Sequence, residues 1–153
     1  MDEHAEVPEY QSELAGCSYT VGELYEAVGK NPDALAAYQR AVDAGEDLRR
    51  KQPDVPDYQR NLAKHLALLG RMYWSMDQPG KAKAALRRGL EVSEQCARNN
   101  PGIPDCEFSF IQNQIGLAFF HGVRRQEAKA VAIFEPARKQ LEVLIQKNPR
   151  IGK

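Results

Sequence analysis

The chain has 153 residues, enough for one domain, and 21 Lys and Arg balance 21 Asp and Glu, so the formal net charge at pH 7 is zero. This neutrality gives no electrostatic reason to expect nucleic acid or an anionic membrane as a partner. Because there is no apolar run of about 18 residues and no basic-then-apolar leader, we expect no membrane span and a cytoplasmic location. Three cysteines without CxxC spacing argue against a disulfide framework and a structural zinc site.

A repeat of 48 residues runs through the sequence. The segment 7–11 (VPEYQ) recurs at 55–59 (VPDYQ) and in part at 103–105 (IPD). Such self-similarity is typical of architectures built from stacked supersecondary units. We therefore predict a single domain over 7–150 that consists of the repeats 7–54, 55–102 and 103–150, with flexible ends at 1–6 and 151–153.

The first half of each repeat predicts one helix, which we call the A helix. In the first repeat, apolar residues at positions 10, 14, 17, 21 and 25 follow helical spacing. Pro8 and Pro56 suit the first helical position, where the missing N–H would be unpaired anyway. Gly29 can end this helix, and we predict that the Asn31 side chain caps the next one. The same break falls at 77–80 (DQPG) in the second repeat.

The second half of each repeat predicts another helix, the B helix. In the first repeat its apolar positions are Ala34, Tyr38, Ala41 and Leu48. Each helix is expected to run for roughly 20 residues, about 30 Å. Prolines 53, 101 and 149 stop the B helices of the three repeats. The sequence therefore predicts an all-α protein with six long helices.

The small and aromatic residues of the repeats resemble those of the tetratricopeptide repeat (TPR). The segments 21–25 (VGELY) and 69–73 (LGRMY) are followed by matching small positions in the B helices. Gly22 is small because the A and B helices cross there, and Tyr38 fills the adjoining gap. The length is similar to that of extended bacterial repeats in kinesin-light-chain-like arrays. The resemblance implies a right-handed α-α superhelix (TPR solenoid) of three helix-turn-helix repeats.

The resemblance also implies a function. Proteins of this family are usually non-enzymatic scaffolds whose A helices line a concave groove that holds a peptide or protein segment. We therefore expect a protein or peptide partner, no cofactor and no catalysis. Groove positions carried over relative to Gly22, Gly70 and Ala118 form an acidic end, a basic middle and an apolar end. They are Tyr19, Glu23, Glu26, Lys64, Arg71, Trp74, Gln112, Ile115 and Phe119, with Gly16, Ala67 and Gly122 between them.

Two parts of this groove have alternative interpretations. Trp74, the only tryptophan, is either an interface anchor or a side chain that packs on the third repeat. Arg71 and Lys64 either contact a ligand or are solvated charges paired with Glu23 or Glu26.

The apolar end of the groove is similarly ambiguous, because Phe119 and Ile115 either face a ligand or are buried in a tight superhelix. Many family grooves use Asn immediately after the conserved small position to bond a peptide backbone. Others use a Lys/Asn/Arg set to bind a terminal carboxylate. Here the positions after the small residue hold Glu23, Arg71 and Phe119, so neither device is present and a ligand bound through a terminal carboxylate is not expected.

The third repeat departs from the first two. Pro136 lies inside its B helix and predicts a kink. Leu141 replaces Gly45 and Ser93, and a terminal B helix without a following A helix needs cover. The alternatives are a fragment of a longer array, self-association as a dimer or an end-to-end stack through the third repeat, or a frayed and partly exposed end. The candidate surface is Val131, Phe134, Leu141, Leu144 and Ile145.

Enzyme and nucleic-acid functions find little support. His4, His65 and His121 share no helix face at metal-ligand spacing, and His121 is expected in the core or at its rim. Cys96 and Cys106 could face each other, but helix axes stand about 8–10 Å apart, beyond disulfide reach, so no bridge is predicted. The sequence contains no catalytic triad and no Gly-rich phosphate loop. Its short basic clusters are interrupted by acids, which favours solvated faces.

Overall fold

The computed structural model describes residues 7–149, which form six helices. The A helices have 20 residues each and the B helices 21, and none of residues 7–149 lies in a β-strand. The predicted all-α class and helix lengths are confirmed, while the ends 1–6 and 151–153 lie outside the described residues. The helices are α1 (Pro8–Ala27), α2 (Asn31–Lys51), α3 (Pro56–Ser75), α4 (Pro79–Asn99), α5 (Pro104–Val123) and α6 (Glu127–Lys147).

Every A helix starts in the same way. Pro8, Pro56 and Pro104 are the first helical residues, each after an extended β-branched residue with no side-chain cap. Proline fits there because its fixed φ is already helical and its absent N–H has no intrahelical acceptor. An acidic residue in the first turn of each A helix also interacts favourably with the helix dipole.

The turn inside each repeat is equally regular. Gly29, Asp77 and Arg125, spaced 48 residues apart, all have positive φ, at 75°, 56° and 57°. After each of them, a backbone N–H reaches back five residues, as in Lys30 N to Tyr25 O at 2.8 Å, which closes the helix in a Schellman-type motif. The predicted cap by Asn31 is wrong: α2 begins at Asn31 itself, because the left-handed residue already redirects the chain.

The two helices of a repeat pack through a small residue, as predicted. A Cβ atom on Gly22 would lie 2.6 Å from Tyr38 Cε1, and one on Gly70 would lie 2.8 Å from Leu86 Cγ. Real Cβ atoms do not approach so closely, so glycine is needed for the large side chain of the B helix to reach the core.

Consecutive repeats meet at two interfaces, which we call the first joint (α2 against α3) and the second joint (α4 against α5). The A helices α3 and α5 also touch, so α3 is covered on several sides. Its apolar side chains Leu62, Leu69 and Met72 are buried with Tyr38 and Val42 of α2. Helix pairs that bury their apolar faces on the next pair form an α-α superhelix.

A disulfide joins Cys96 in α4 to Cys106 in α5, with the Cα atoms 5.5 Å apart. The prediction of no bridge is wrong. Typical axis separations apply to the middle of a helix pair, whereas both cysteines lie within about one turn of the short connection, where the two helices converge. Both side chains are fully buried, and Cys17 is an exposed free thiol.

The third repeat has its own small core, which corrects part of the predicted association surface. Leu144 is 2% exposed and packs with Ile111 and Ala137, and Leu141 is half-buried against them. Leu144 is therefore core rather than surface. Helix α6 remains one helix through the exposed Pro136. Among the described residues, none of the helices is apolar enough over a sufficient length to cross a membrane.

Candidate protein-binding site

The predicted groove residues lie on α1, α3 and α5, and we call the surface that they form the A-helix face. Side chains connect neighbouring A helices across it. Lys64 Nζ lies 4.6 Å above the Tyr19 ring, and Arg71 Nη2 lies 2.9 Å from Glu26 Oε2. The alternative interpretation, that the basic residues pair with neighbouring side chains, is confirmed for Arg71.

The carboxylates at the acidic end of this face are engaged by neighbouring side chains. Glu26 Oε2 accepts hydrogen bonds from the Tyr38 hydroxyl at 2.8 Å and from Arg71. The Tyr19 hydroxyl donates to Glu23 Oε1 at 2.5 Å. Burial, followed by this bond to Glu23, raises the pKa of Tyr19 to about 12, and burial and Glu26 raise that of Tyr38. Glu26 and Arg71 therefore pair with each other, whereas Glu23 and Lys64 both interact with Tyr19.

His65 lies beneath this network at the first joint. Its ring stacks on Tyr19 with the centroids 5.2 Å apart, and the side chain is buried. Burial, and then the charge of Lys64, lower the pKa of His65 to about 4, although a bond with the Ala41 backbone opposes this shift. A neutral, enclosed imidazole of this kind contributes to packing.

An apolar recess opens between α3 and α5 where the predicted groove was apolar. It has a volume of about 280 Å³. Trp74 lies at its edge, 36% exposed, with its ring edge-to-face on Phe120 at a centroid distance of 5.4 Å. Trp74 thus packs on the third repeat and also keeps an exposed surface. The lining residues are Ala67, Leu68, Gly70, Arg71, Trp74, Leu86, Gly116, Phe119, Phe120 and Val123.

A second recess of about 260 Å³ adjoins the first. Phe119 lines both recesses and is 69% exposed, while Ile115 beside it is half-buried. Val131 and Phe134 of α6 form the far wall. The structure therefore brings residues predicted for the groove together with residues predicted for self-association, in one continuous apolar surface.

Gln112 lies elsewhere. It lines a separate, more polar depression of about 430 Å³ together with Lys64 and Tyr19. Arg60 Nη1 and Asp105 Oδ2, 2.7 Å apart, bridge α3 and α5 at this depression. The predicted groove is therefore divided into a paired polar half and an open apolar half.

Sequence reasoning missed several residues of the apolar recess, including Leu68, Phe120 and Val123. The sequence contains a signal for two of them. Val123 follows Phe119 by one helical turn, and Phe120 occupies the same position in its repeat as Leu24 and Met72. The apolar residues at this repeat position predict that Phe120 is buried, but they do not predict that it forms the floor of a recess.

The histidines singled out in the sequence differ in their surroundings. His121 is buried, as expected, and its Nδ1 lies 2.6 Å from Gln126 Oε1. Within residues 7–149, no three His, Cys, Asp or Glu side chains are placed to hold a metal ion. His4 lies outside the described residues.

Comparison with known proteins adds one structural similarity. No family model matches the sequence, and no curated protein matches it. Among solved structures, the chain is similar to the crystal structure of MamA, with 18% sequence identity over 86% of this chain and 81% of that chain and a TM-score of 0.37. The helical-repeat fold is supported by the helix pairs and joints described above.

Proposed function

We propose that the chain is a TPR-type, non-enzymatic scaffold that binds a peptide or protein segment on its A-helix face. The observation that carries this proposal is the apolar recess between α3 and α5. Phe119 is 69% exposed beside it, where an isolated soluble surface would favour a polar residue. Aromatic side chains grouped at a recess are typical binding hot spots.

The chemistry of the recess defines the class of ligand. Its lining is almost entirely apolar, so it would accept an aromatic or long aliphatic side chain of the partner. Arg71 at its edge is already engaged by Glu26, and Phe119 stands where many family grooves have a backbone-binding Asn. Affinity would therefore come from side-chain anchoring rather than from recognition of a carboxylate or peptide backbone.

A displayed peptide library tests this proposal. We expect peptides selected on the wild-type chain to carry an aromatic or long aliphatic anchor. Phe119→Ser should weaken their binding by at least about tenfold, because removing a hot-spot aromatic side chain costs about 2 kcal/mol or more. Fluorescence anisotropy with labelled peptides gives the dissociation constants.

Val143→Ser is the matched control, since Val143 is also an exposed apolar residue of a helix but lines neither recess. It should leave the dissociation constants unchanged. Selected peptides that bind the Phe119→Ser chain as tightly as the wild type would contradict the proposal, as would a selection with no enrichment.

Self-association through α6 is a second candidate, favoured by the exposure of Val131, Phe134 and Ile145. A symmetric dimer would bury these side chains on their copies. Light scattering should then report a dimer for the wild type and a monomer for Ile145→Lys. A monomeric wild type at every concentration would exclude this candidate.

A further inference from the structure

Helix α1, together with Val28 just after its last residue, carries a stripe of exposed apolar side chains. Leu14, Val21, Leu24 and Val28 are all exposed along it, and the free thiol of Cys17 lies among them. These five residues follow helical spacing over four turns, and we call them the α1 stripe. A continuous exposed stripe of this length indicates a contact surface.

The repeat shows what this stripe corresponds to inside the molecule. The positions of Leu14, Val21 and Leu24 recur 48 residues later as Leu62, Leu69 and Met72, which are buried at the first joint. They recur again in α5, where Leu117 and Phe120 are buried at the second joint. Leu14 is 61% exposed, whereas Leu62 is 0% exposed. Helix α1 therefore carries the face that internal A helices bury on a preceding B helix.

The two joints also show which helix covers such a face. At the first joint, Tyr38 joins the cluster of α3, and Gly45 leaves room for Leu62, whose Cδ1 would lie 3.1 Å from a Cβ on that glycine. At the second joint, Leu86 packs with α5, and a Cβ on Gly89 would lie 2.7 Å from Asn113 Oδ1.

Both covering helices share one residue pattern. A large apolar residue is followed by small residues three and seven positions later, which are Tyr38, Ala41 and Gly45 in α2 and Leu86, Gly89 and Ser93 in α4. The small residues let the two helix backbones approach, and the large one fills the gap at the end of the contact.

We propose that the α1 stripe docks an amphipathic helix of a partner protein that carries this large-x-x-small-x-x-x-small pattern. The helix would extend the array by continuing the interface already seen at both joints. The proposal does not depend on ligand binding at the α3/α5 recess.

A second copy of the chain does not supply this helix. Its α2 and α4 are occupied internally, and the pattern fails in α6, where Phe134 and Ala137 are followed by Leu141. At the first joint, Leu62 already fills the space beside Gly45. Leu141, which stands at the position of Gly45, would therefore occupy the space that Leu14 needs.

Cys17 provides a direct test with the full chain. The probe is a synthetic peptide with the sequence of residues 31–51, which is the natural covering helix of the first joint. We expect this peptide at saturation to slow alkylation of Cys17 by iodoacetamide at least tenfold. The reason is that His65 and Asn113, which occupy the position of Cys17 in the second and third repeats, are buried where a preceding B helix covers the A helix. The same peptide with Gly45→Leu should give no protection. Mass spectrometry of the Cys17 fragment measures the rate.

Variants of the chain locate the contact. Leu24→Lys, at an exposed position that tolerates the charge without unfolding, should abolish protection, whereas Phe119→Ser should leave it intact and thereby separate this site from the recess. Equal protection by both peptides, or none by either, would overturn the proposal. So would protection of Cys17 that rises with protein concentration without peptide, since a second copy would then be the occupant.

Discussion

The two joints of the array share one backbone geometry but are fastened differently. The first two repeats are also linked through their B helices, because the Arg88 guanidinium of α4 bonds Glu46 of α2 at 2.9 and 3.0 Å. The equivalent residue in the third repeat is Pro136, which has no side-chain donor. The second joint has a disulfide between Cys96 and Cys106, and the ion pair of Arg60 with Asp105 joins the A helices of the same two repeats.

The difference shows how a repeat tolerates sequence change. The small residues and prolines that set helix crossing recur in every unit, whereas the groups that fasten one unit to the next are local. A polar link responds to salt and pH, and a disulfide responds to reductants. The contact between the first two repeats is therefore expected to respond to salt and pH, and the contact between the last two to redox conditions as well.

The largest expected effect is loss of the disulfide. Cys96→Ala with Cys106→Ala should lower the free energy of unfolding by about 3 kcal/mol, because the bridge closes a short loop in the unfolded chain. Urea denaturation measures this change. Dithiothreitol should destabilise the wild type by a similar amount and leave the double variant unaffected. A wild type insensitive to the reductant would contradict this view of the second joint.

The next effect concerns His65 at the first joint. Its pKa in the folded chain, about 4, is below the unfolded value of 6.5, so the unfolded state binds more protons between these values and stability falls as the pH drops. From pH 7 to pH 5 the loss from this group should be about 2 kcal/mol.

The repeat supplies the control for this pH dependence. His65→Asn introduces the residue that occupies the equivalent position 113 at the second joint, and this side chain does not titrate. Urea midpoints of the variant should therefore change less between pH 7 and pH 5 than those of the wild type. Parallel pH profiles for the two chains would show that His65 is not the responsible group.

A smaller difference separates two glycines. A Cβ on Gly89 would meet Asn113 Oδ1 at 2.7 Å and the Ala63 carbonyl at 3.3 Å, whereas one on Gly45 would meet mainly the flexible end of Leu62 at 3.1 Å. Gly89→Ala should lower the free energy of unfolding by about 1 kcal/mol despite better helix propensity. Gly45→Ala should change it by less than about 0.5 kcal/mol, since propensity and crowding offset each other. Thermal denaturation that ranks the two variants in the opposite order would contradict this.

Features fixed by local chemistry could be predicted from the sequence. Pro8 at a helix start and Gly29 at a helix end act within one turn of the chain, so their effect does not depend on distant residues. The contact of Gly22 with Tyr38 could also be predicted, because a small residue and a large residue recur at the same two positions of the repeat and thereby mark where the A and B helices cross.

Features that depend on how neighbouring helices rotate were not predictable. The apolar recess depends on how Trp74 of α3 and Phe119 of α5 are placed relative to each other, and the pattern within one helix does not contain this information. The disulfide failed for a related reason, since a mean axis distance does not describe two helices that converge at a turn. Leu144 was assigned to the surface because a terminal B helix has no following A helix to cover it. Its actual cover is Ile111 of α5, within the same repeat.

The smallest expected effect tests the ion pair between the B helices α2 and α4. Arg88→Ala should lower the free energy of unfolding by less than about 1 kcal/mol, because both partners are about one-third exposed and water screens the pair. A double-mutant cycle with Glu46→Gln measures the coupling, which should weaken as salt rises. Arg138→Ala is the control, since Arg138 pairs with Glu135 and Glu142 of its own helix and joins no two repeats. A coupling between Arg88 and Glu46 that is zero at low salt would mean that this ion pair does not stabilise the contact between the first two repeats.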